Sequence, residues 1–342
     1  MYRRVNQFLD FFKAAQNRLR RFIVSFSPSL HGVDLPTLRK WLFVSVLIGA
    51  VSGISAIVFY AALDWASRFL LGGIAGYTAP LPGSEGSDAV TAIARPWLLP
   101  LVTTVGGLLA GLLVFKLAPE AEGHGTDAAI NSFHNKNGFI RRRVPLVKLL
   151  ASTITIGSGG SAGREGPIAL VAAGVGSFIS DVLKLNSRER RLALTIGIGA
   201  GVGAMFKAPL GGAILSCSIL YRRDFESEAL LPSFVASIVG YSIFASYQGW
   251  EPIFNLGAAF TFNHPAEIIG YVVLGLACGL VGAVYGNSFY WFRDRFRALK
   301  MPAYLKPALG GLLVGIIALW LPQVLGAGYG WIQLAIDGNT AA

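Results

Sequence analysis

The chain has 342 residues, of which 54% are hydrophobic and only 14% charged, with a formal net charge of +11. A soluble domain typically carries about 25% charged residues, so this balance excludes an ordinary soluble enzyme and indicates an integral membrane protein. The positive excess sits largely in blocks beside apolar segments, which fits cytoplasmic flanks rather than a nucleic-acid surface, and no nucleic-acid partner is expected.

Residues 1–40 are basic and amphipathic: Arg3, Arg4, Lys13, Arg18, Arg20 and Arg21 alternate with Phe8, Phe11, Phe12 and Phe22. They read as a cytoplasmic interfacial helix, with a disordered basic tail as the alternative. Trp41 to Leu63 is uncharged and long enough to span a bilayer. A Gly/Pro/Ser-rich loop over 72–96 precedes a second span from Trp97 to Phe115. Residues 116–148 mix polar and basic groups, including Arg141-Arg142-Arg143, around a short amphipathic piece after Gly123-His124-Gly125-Thr126-Asp127. Apolar runs follow at Leu149–Ile156, Ile168–Leu183, Leu192–Phe206, Leu210–Tyr221, Ala229–Tyr247, Ile268–Phe292 and Pro307–Leu321. Several are too short to cross alone, and short or interrupted apolar segments mark binding sites in transporters. Cys217 and Cys278 both lie in apolar runs and offer neither a disulfide framework nor a metal set. No cofactor or metal is expected, and no cleavable leader is seen at the N-terminus.

An internal repeat organises these segments. Gly106-Gly107-Leu108-Leu109-Ala110-Gly111 recurs as Gly310-Gly311-Leu312-Leu313-Val314-Gly315, and Gly123-His124-Gly125 as Gly326-Ala327-Gly328. Upstream, Gly49-Ala50-Val51-Ser52-Gly53 resembles Gly275-Leu276-Ala277-Cys278-Gly279. Arg39-Lys40 precede the opening span of the first copy, whereas Arg293, Arg295, Arg297 and Lys300 follow that of the second. The positive-inside rule then inserts the two copies in opposite senses, an inverted-topology repeat with its site near the midplane. The sequence divides into residues 1–40, a first repeat over 41–250, and the opening of a second over 251–342. A second copy of the central glycine-rich break is expected beyond Ala342, so the second repeat reads as incomplete.

The central break is Gly157-Ser158-Gly159-Gly160-Ser161-Ala162-Gly163-Arg164-Glu165-Gly166-Pro167, set between two apolar runs. Ionisable groups at membrane depth line a protein interior or a water-filled path. Irregular backbone there needs protein or a cavity around it. Pro167 suits the first turn of a following helix, and a helix N-terminus facing a cavity is an anion site. The stretch reads as a broken-helix anion site with a carboxylate placed in it.

These residues resemble the CLC family of voltage-gated chloride channels and chloride/proton antiporters. Gly163-Arg164-Glu165-Gly166-Pro167 matches the family's GREGP motif outright. Gly123-His124-Gly125-Thr126-Asp127 sits where the family has its GSGIP filter loop, and Ala204-Met205-Phe206-Lys207-Ala208-Pro209-Leu210-Gly211-Gly212 resembles the segment after the filter. The resemblance runs from about residue 40 to the end. It implies an all-α integral membrane fold with broken and re-entrant helices, and anion transport rather than catalysis. Implied partners are chloride, the lipid bilayer and a second copy of the chain, meeting over Leu210–Tyr221 and Ala229–Tyr247. The implied location is the cell membrane, multi-pass, with a cytoplasmic N-terminus.

The same resemblance makes Glu165 the gating glutamate, its ionised carboxylate competing with the anion. Gly123, His124, Gly125, Gly163, Arg164, Gly166 and Pro167 become the anion-binding set. For Glu165 the alternative is a capping or ion-paired carboxylate. Arg164 reads better as a structural ion-pair partner than as an ion ligand. His124 stands where the family has serine; its N–H can donate to chloride, or the ring can simply bond backbone. Asp127 departs from the motif's proline and reads as a helix N-cap. Ser158 and Ser161 cap or line the path. Lys148 matches a lysine of relatives and either raises the local positive potential or snorkels.

The antiporters' internal glutamate has no counterpart in Ser216-Cys217-Ser218-Ile219, and Asp224 and Glu226 read as a solvated helix end. This tilts the expectation toward a passive channel or weak proton coupling. An antiporter with another proton route and a non-transporting fragment remain alternatives. Fluoride is a further one, although Pro167 favours chloride on family grounds. The family's second filter loop and its inner tyrosine have no match in this sequence. A membrane enzyme with a phosphate-binding loop is disfavoured, because Gly157–Gly163 lacks the Gly-Lys-Ser/Thr ending.

Overall fold

A computed structural model describes residues 35–80, 93–254 and 264–337. The interfacial helix expected over residues 1–40 falls almost wholly outside them. Among the described residues all regular structure is helical. Five helices are long and apolar enough to cross a membrane.

The first helix, α1, runs Leu35–Ser67 and continues into a π-helical turn, Arg68–Ala75. That turn occupies the start of the stretch read as loop, and it ends at Gly76, whose φ of 68° releases the chain. Next come α2 (Leu99–Leu117), α3 (Thr126–Asn135) and α4 (Arg143–Gly157). The central break separates α4 from α5 (Glu165–Val182), and α6 (Ser187–Met205), α7 (Pro209–Ser218) and α8 (Ser227–Gln248) follow. The chain continues as α9 (Glu267–Ala298), α10 (Lys306–Ile317) and α11 (Tyr329–Ile336). The boundary at α4 differs from the apolar run, because helical backbone extends back through Lys148 to Arg143. At 1.5 Å per residue α3, α4 and α7 fall short of a bilayer's ~30 Å core, as expected of broken or re-entrant segments.

Helix α5 is buried over 72% of its length and packs on α6, which in turn packs on α8. Small residues make these approaches possible. A Cβ on Gly176 would strike the Ala193 carbonyl, and one on Gly197 the Ala172 carbonyl. Helix α6 starts with a capping box, in which the Asn186 side chain accepts from the Glu189 N–H and the Glu189 carboxylate accepts from the Asn186 N–H. The box satisfies donors that the helix itself cannot. No residue of α9 is buried among the described residues.

The repeated glycine motifs lie against each other. In α2, Gly107 meets Pro307 and Gly111 meets Tyr304; in α10, Gly311 meets Thr103 and Gly315 meets Pro100. In the alignment of the two copies Thr103 corresponds to Pro307 and Pro100 to Tyr304. Each contact therefore has its exchanged partner, the signature of a two-fold relation. Partner numbers fall as motif numbers rise, so the two helices run antiparallel, as an inverted repeat requires.

At this crossing a valine at Gly107 or at Gly311 would overlap backbone. Each substitution should lower stability by about 1–3 kcal/mol through overpacking. Gly310, one position along, faces open space. Gly310→Ala should leave stability unchanged or raise it by up to about 1 kcal/mol through helix propensity. Unfolding of the purified protein in detergent checks both, and equal losses at Gly310 and Gly311 would contradict the crossing.

Candidate functional site

The break does what its composition suggests. Helix α4 ends at Gly157, the chain turns through residues 158–164, and α5 starts at Glu165 inside the bundle. Gly159 has φ of 99° and lies close to Leu325, Leu71 and Thr103, so a side chain there is excluded both by conformation and by space. Thr155 O accepts from Gly160 N–H at 2.8 Å. A two-bond bridge ties the break to the loop before α11: Gly326 N–H donates to Gly159 O, and Ala162 N–H donates to Gly326 O, each at 3.3 Å. The repeat's second Gly-x-Gly thus supports the first repeat's break.

Glu165, Gly166 and Pro167 form the first turn of α5. The first backbone N–H groups of a helix have no intrahelical acceptor, so proline is tolerated there. The positive end of the helix dipole favours a negative charge at the same point. The Glu165 carboxylate folds back over Gly163, where a Cβ would overlap it. Tyr329 Oη, from the first turn of α11, donates to Glu165 Oε1 at 2.6 Å.

The loop Gly123-His124-Gly125 faces this turn. Gly123 and Gly125 have φ of 76° and 117°, conformations that favour glycine. His124 lies against Gly166, where a Cβ would meet its ring and its carbonyl. Its Nδ1 shares a hydrogen bond with Thr126 Oγ1 at 3.0 Å. Lys148 holds the loop from α4: its Nζ donates to Gly123 O at 2.5 Å and to Ala121 O at 3.2 Å. Lys148 is 5% exposed, so the snorkelling alternative does not apply. Just upstream Arg141 pairs with Glu120.

Two cavities lie by the break, one of them lined by Glu165. One, of about 440 Å³, is lined by Glu165 with Gly123, His124, Lys148, Ser161 and Gly163. The other, of about 450 Å³, is lined by Arg164 and Tyr329 with Tyr60, Asp64, Arg68 and Thr78. Candidate residues Gly123, His124, Gly125, Gly163, Glu165, Gly166 and Lys148 therefore converge, with Pro167 lining the first cavity.

Arg164 does not join them. It makes no ion pair among the described residues; its guanidinium lies over the Tyr329 ring at 4.5 Å and the Tyr60 ring at 5.5 Å. Aromatic faces hold the cation where an ion-pair partner was expected. Asp127 is not the cap of α3 either. Gly125 takes that position with no side-chain cap, and Asp127 stands in the first turn, where its charge suits the dipole. Ser158 bonds back to Thr155 O and packs on Gly106, while Ser161 lines the cavity that Glu165 also lines.

In the segment without the family's internal acid, buried Ser216 bonds Ala213 O at 2.8 Å. Glu226 is not a free helix end, since Tyr221 Oη donates to it at 2.7 Å. Sequence reasoning missed Tyr329, Tyr60 and Phe254, whose ring stacks on Tyr329 at 5.9 Å. The residue following the repeated Gly326-Ala327-Gly328 was the available signal for Tyr329.

Comparison with known proteins agrees with this geometry. The family model described as voltage gated chloride channel matches residues 106–342. An uncharacterized protein of Methanocaldococcus jannaschii is 29% identical over 289 residues, covering 84% of this chain and 65% of that protein. The H(+)/Cl(-) exchange transporter ClcA of Salmonella schwarzengrund is 28% identical over 311 residues, covering 87% of this chain and 62% of that protein. The chain thus spans under two thirds of the length of either relative. Among solved structures, a CLC-type fluoride/proton antiporter superposes with a TM-score of 0.73 at 19% identity, covering 90% of this chain and 72% of that one. An all-helical membrane fold, the glycine-framed glutamate and the matched family model lead to one conclusion: the chain belongs to the voltage gated chloride channel family.

Proposed function

We propose that this chain forms the gated part of a transmembrane chloride pathway, with Glu165 as the gate. The observation that carries the reading is the position of the Glu165 carboxylate. It sits at the positive end of a buried helix, over Gly163, at the wall of the cavity shared with His124 and Lys148. An ionised carboxylate there takes the place that a chloride ion would take, and protonation removes the competing charge. Backbone N–H groups of the first turn of α5, with the His124 ring beside them, are the donors for the anion. Lys148 fixes the Gly123 loop and adds a positive charge near the path.

Passive conduction or weak proton coupling is the favoured mode, supported by the serines that stand where an internal carboxylate would be needed. The relative from Salmonella carries the name of a proton/chloride exchanger, and a structural neighbour that of a fluoride/proton antiporter. Coupling is therefore the specific alternative to test. The working form is a homodimer in the cell membrane with the N-terminus cytoplasmic. Exposed Leu210, Ile214, Leu231 and Ile238 on α7 and α8 form the contact face.

Chloride efflux from liposomes, with external pH recorded, tests the gate. Flux through the wild type should rise as pH falls, because protonated Glu165 no longer competes. Glu165→Gln should conduct at all pH values without a pH dependence from this group. Proton movement with chloride that disappears in Glu165→Gln would establish exchange instead of conduction. A variant identical to wild type in rate and pH profile would remove Glu165 from the mechanism.

Lys148→Met removes the donor from the buried Ala121 carbonyl, left with a desolvation cost of about 1–3 kcal/mol, and from the more exposed Gly123 carbonyl. The variant should lose stability on that order in detergent unfolding and bind chloride more weakly. Unchanged stability would show that the Lys148 tie to the loop carries little.

A further inference from the structure

The gate has a second component that its own motif does not contain. Tyr329 comes from the far end of the sequence, 164 residues beyond Glu165, yet its hydroxyl lies 2.6 Å from the carboxylate. Four features fix the ring in place. The Arg164 guanidinium covers one ring at 4.5 Å, and Phe254 stacks at 5.9 Å with an interplanar angle of 29°. The loop that carries Tyr329 is bonded to the break itself through Gly326, Gly159 and Ala162. Trp331, in the same helix, donates to Tyr77 Oη at 3.4 Å, and Tyr77 is buried. The hydroxyl is thus presented to Glu165 by a rigid support and does not merely brush it.

We propose that Tyr329 is a latch on the gate: its hydroxyl holds the Glu165 carboxylate in the anion path and sets how readily the gate opens. Tyr329 is a positioning residue, acting on the anion through Glu165, and the proposal rests on Glu165 being the gate. A phenol donating to an ionised carboxylate makes a charge-assisted bond, stronger than one between neutral groups. Such a bond stabilises the charged form of the acceptor. The latch therefore favours the ionised, path-blocking state, and protonation of Glu165 both removes the competing charge and weakens the bond. Other charged or titratable groups face the same region. Arg164 precedes Glu165; His124 and Glu122 come from the loop before α3, Lys148 from α4 and Tyr285 from α9, while Tyr60, Asp64 and Arg68 line the second cavity with Tyr77.

Tyr329→Phe keeps the ring, its stacking on Phe254 and the Arg164 guanidinium over its face, and removes the hydroxyl that donates to Glu165 and also meets Arg164. In proteoliposomes of the purified protein, chloride flux should rise on the order of tenfold at pH values where Glu165 is ionised, the effect of losing a hydrogen bond to a charged group. The pH profile of chloride flux should change with it, because the donor acts on the carboxylate that gates the path. The same substitution in a Glu165→Gln background should change neither rate nor pH profile. Unchanged flux and pH profile in the single variant would overturn the latch. So would an effect of equal size in the Glu165→Gln background, which would make Tyr329 a structural support. Loss of flux in the single variant, with the protein still monodisperse, also contradicts the proposal. If Glu165→Gln itself leaves flux and pH profile unaltered, the gate assignment fails first and the latch falls with it.

Discussion

Everything at this site depends on keeping an irregular stretch of backbone, residues 158–164, inside an apolar bundle. Buried peptide groups without partners are costly, and in a membrane no solvent is at hand to supply them. Here the partners come from two sides. Thr155 O takes the Gly160 N–H, and Gly326 offers both its N–H and its carbonyl to the break. The second requirement is space. Gly159 is boxed in by Leu325, Leu71 and Thr103, and Gly106 lets Ser158 seat against α2. Once these conditions hold, α5 can begin at Glu165 in the interior, and its unbonded N–H groups become available to a ligand.

The electrostatics follow from that starting point. Glu165 gains from the helix dipole and from the Tyr329 hydroxyl, whereas Arg164, its sequence neighbour, is held over two tyrosine rings. An Arg–Glu pair at this point would have locked the carboxylate by charge. In the proposed mechanism a phenol holds it less firmly and releases it on protonation, which suits a gate that has to move. Lys148 contributes mainly through geometry, because both of its bonds go to carbonyls of the loop that carries His124.

Much of this was readable in the sequence for physical reasons. Apolar runs of bilayer length, a glycine-rich break with two charges, and Pro167 in a first turn are local features. Local features survive translation into structure. The GGLLAG repeat gave the antiparallel α2–α10 crossing because close helix contact demands glycine at matched positions. What the sequence hid was long-range. Tyr329 and Tyr60 reach Arg164 from distant parts of the chain, so local reasoning supplied an ion-pair partner in their place. Asp127 suited an N-cap by residue type, but the φ of 117° at Gly125 moved the helix start two residues earlier. Lys148 read as a source of positive potential or a snorkelling lysine; buried within α4, it holds two carbonyls of the loop.

Chloride binding to the purified protein in detergent, followed by isothermal titration calorimetry across a pH series, is the most direct test of the account. In the proposed mechanism the Glu165 carboxylate and the anion compete for one site. Wild-type affinity should therefore rise as pH falls, while Glu165→Gln binds chloride more tightly than wild type at neutral pH and lacks the component of the pH dependence due to Glu165. Equal affinity of the two proteins at neutral pH, with the same pH dependence in both, would contradict it.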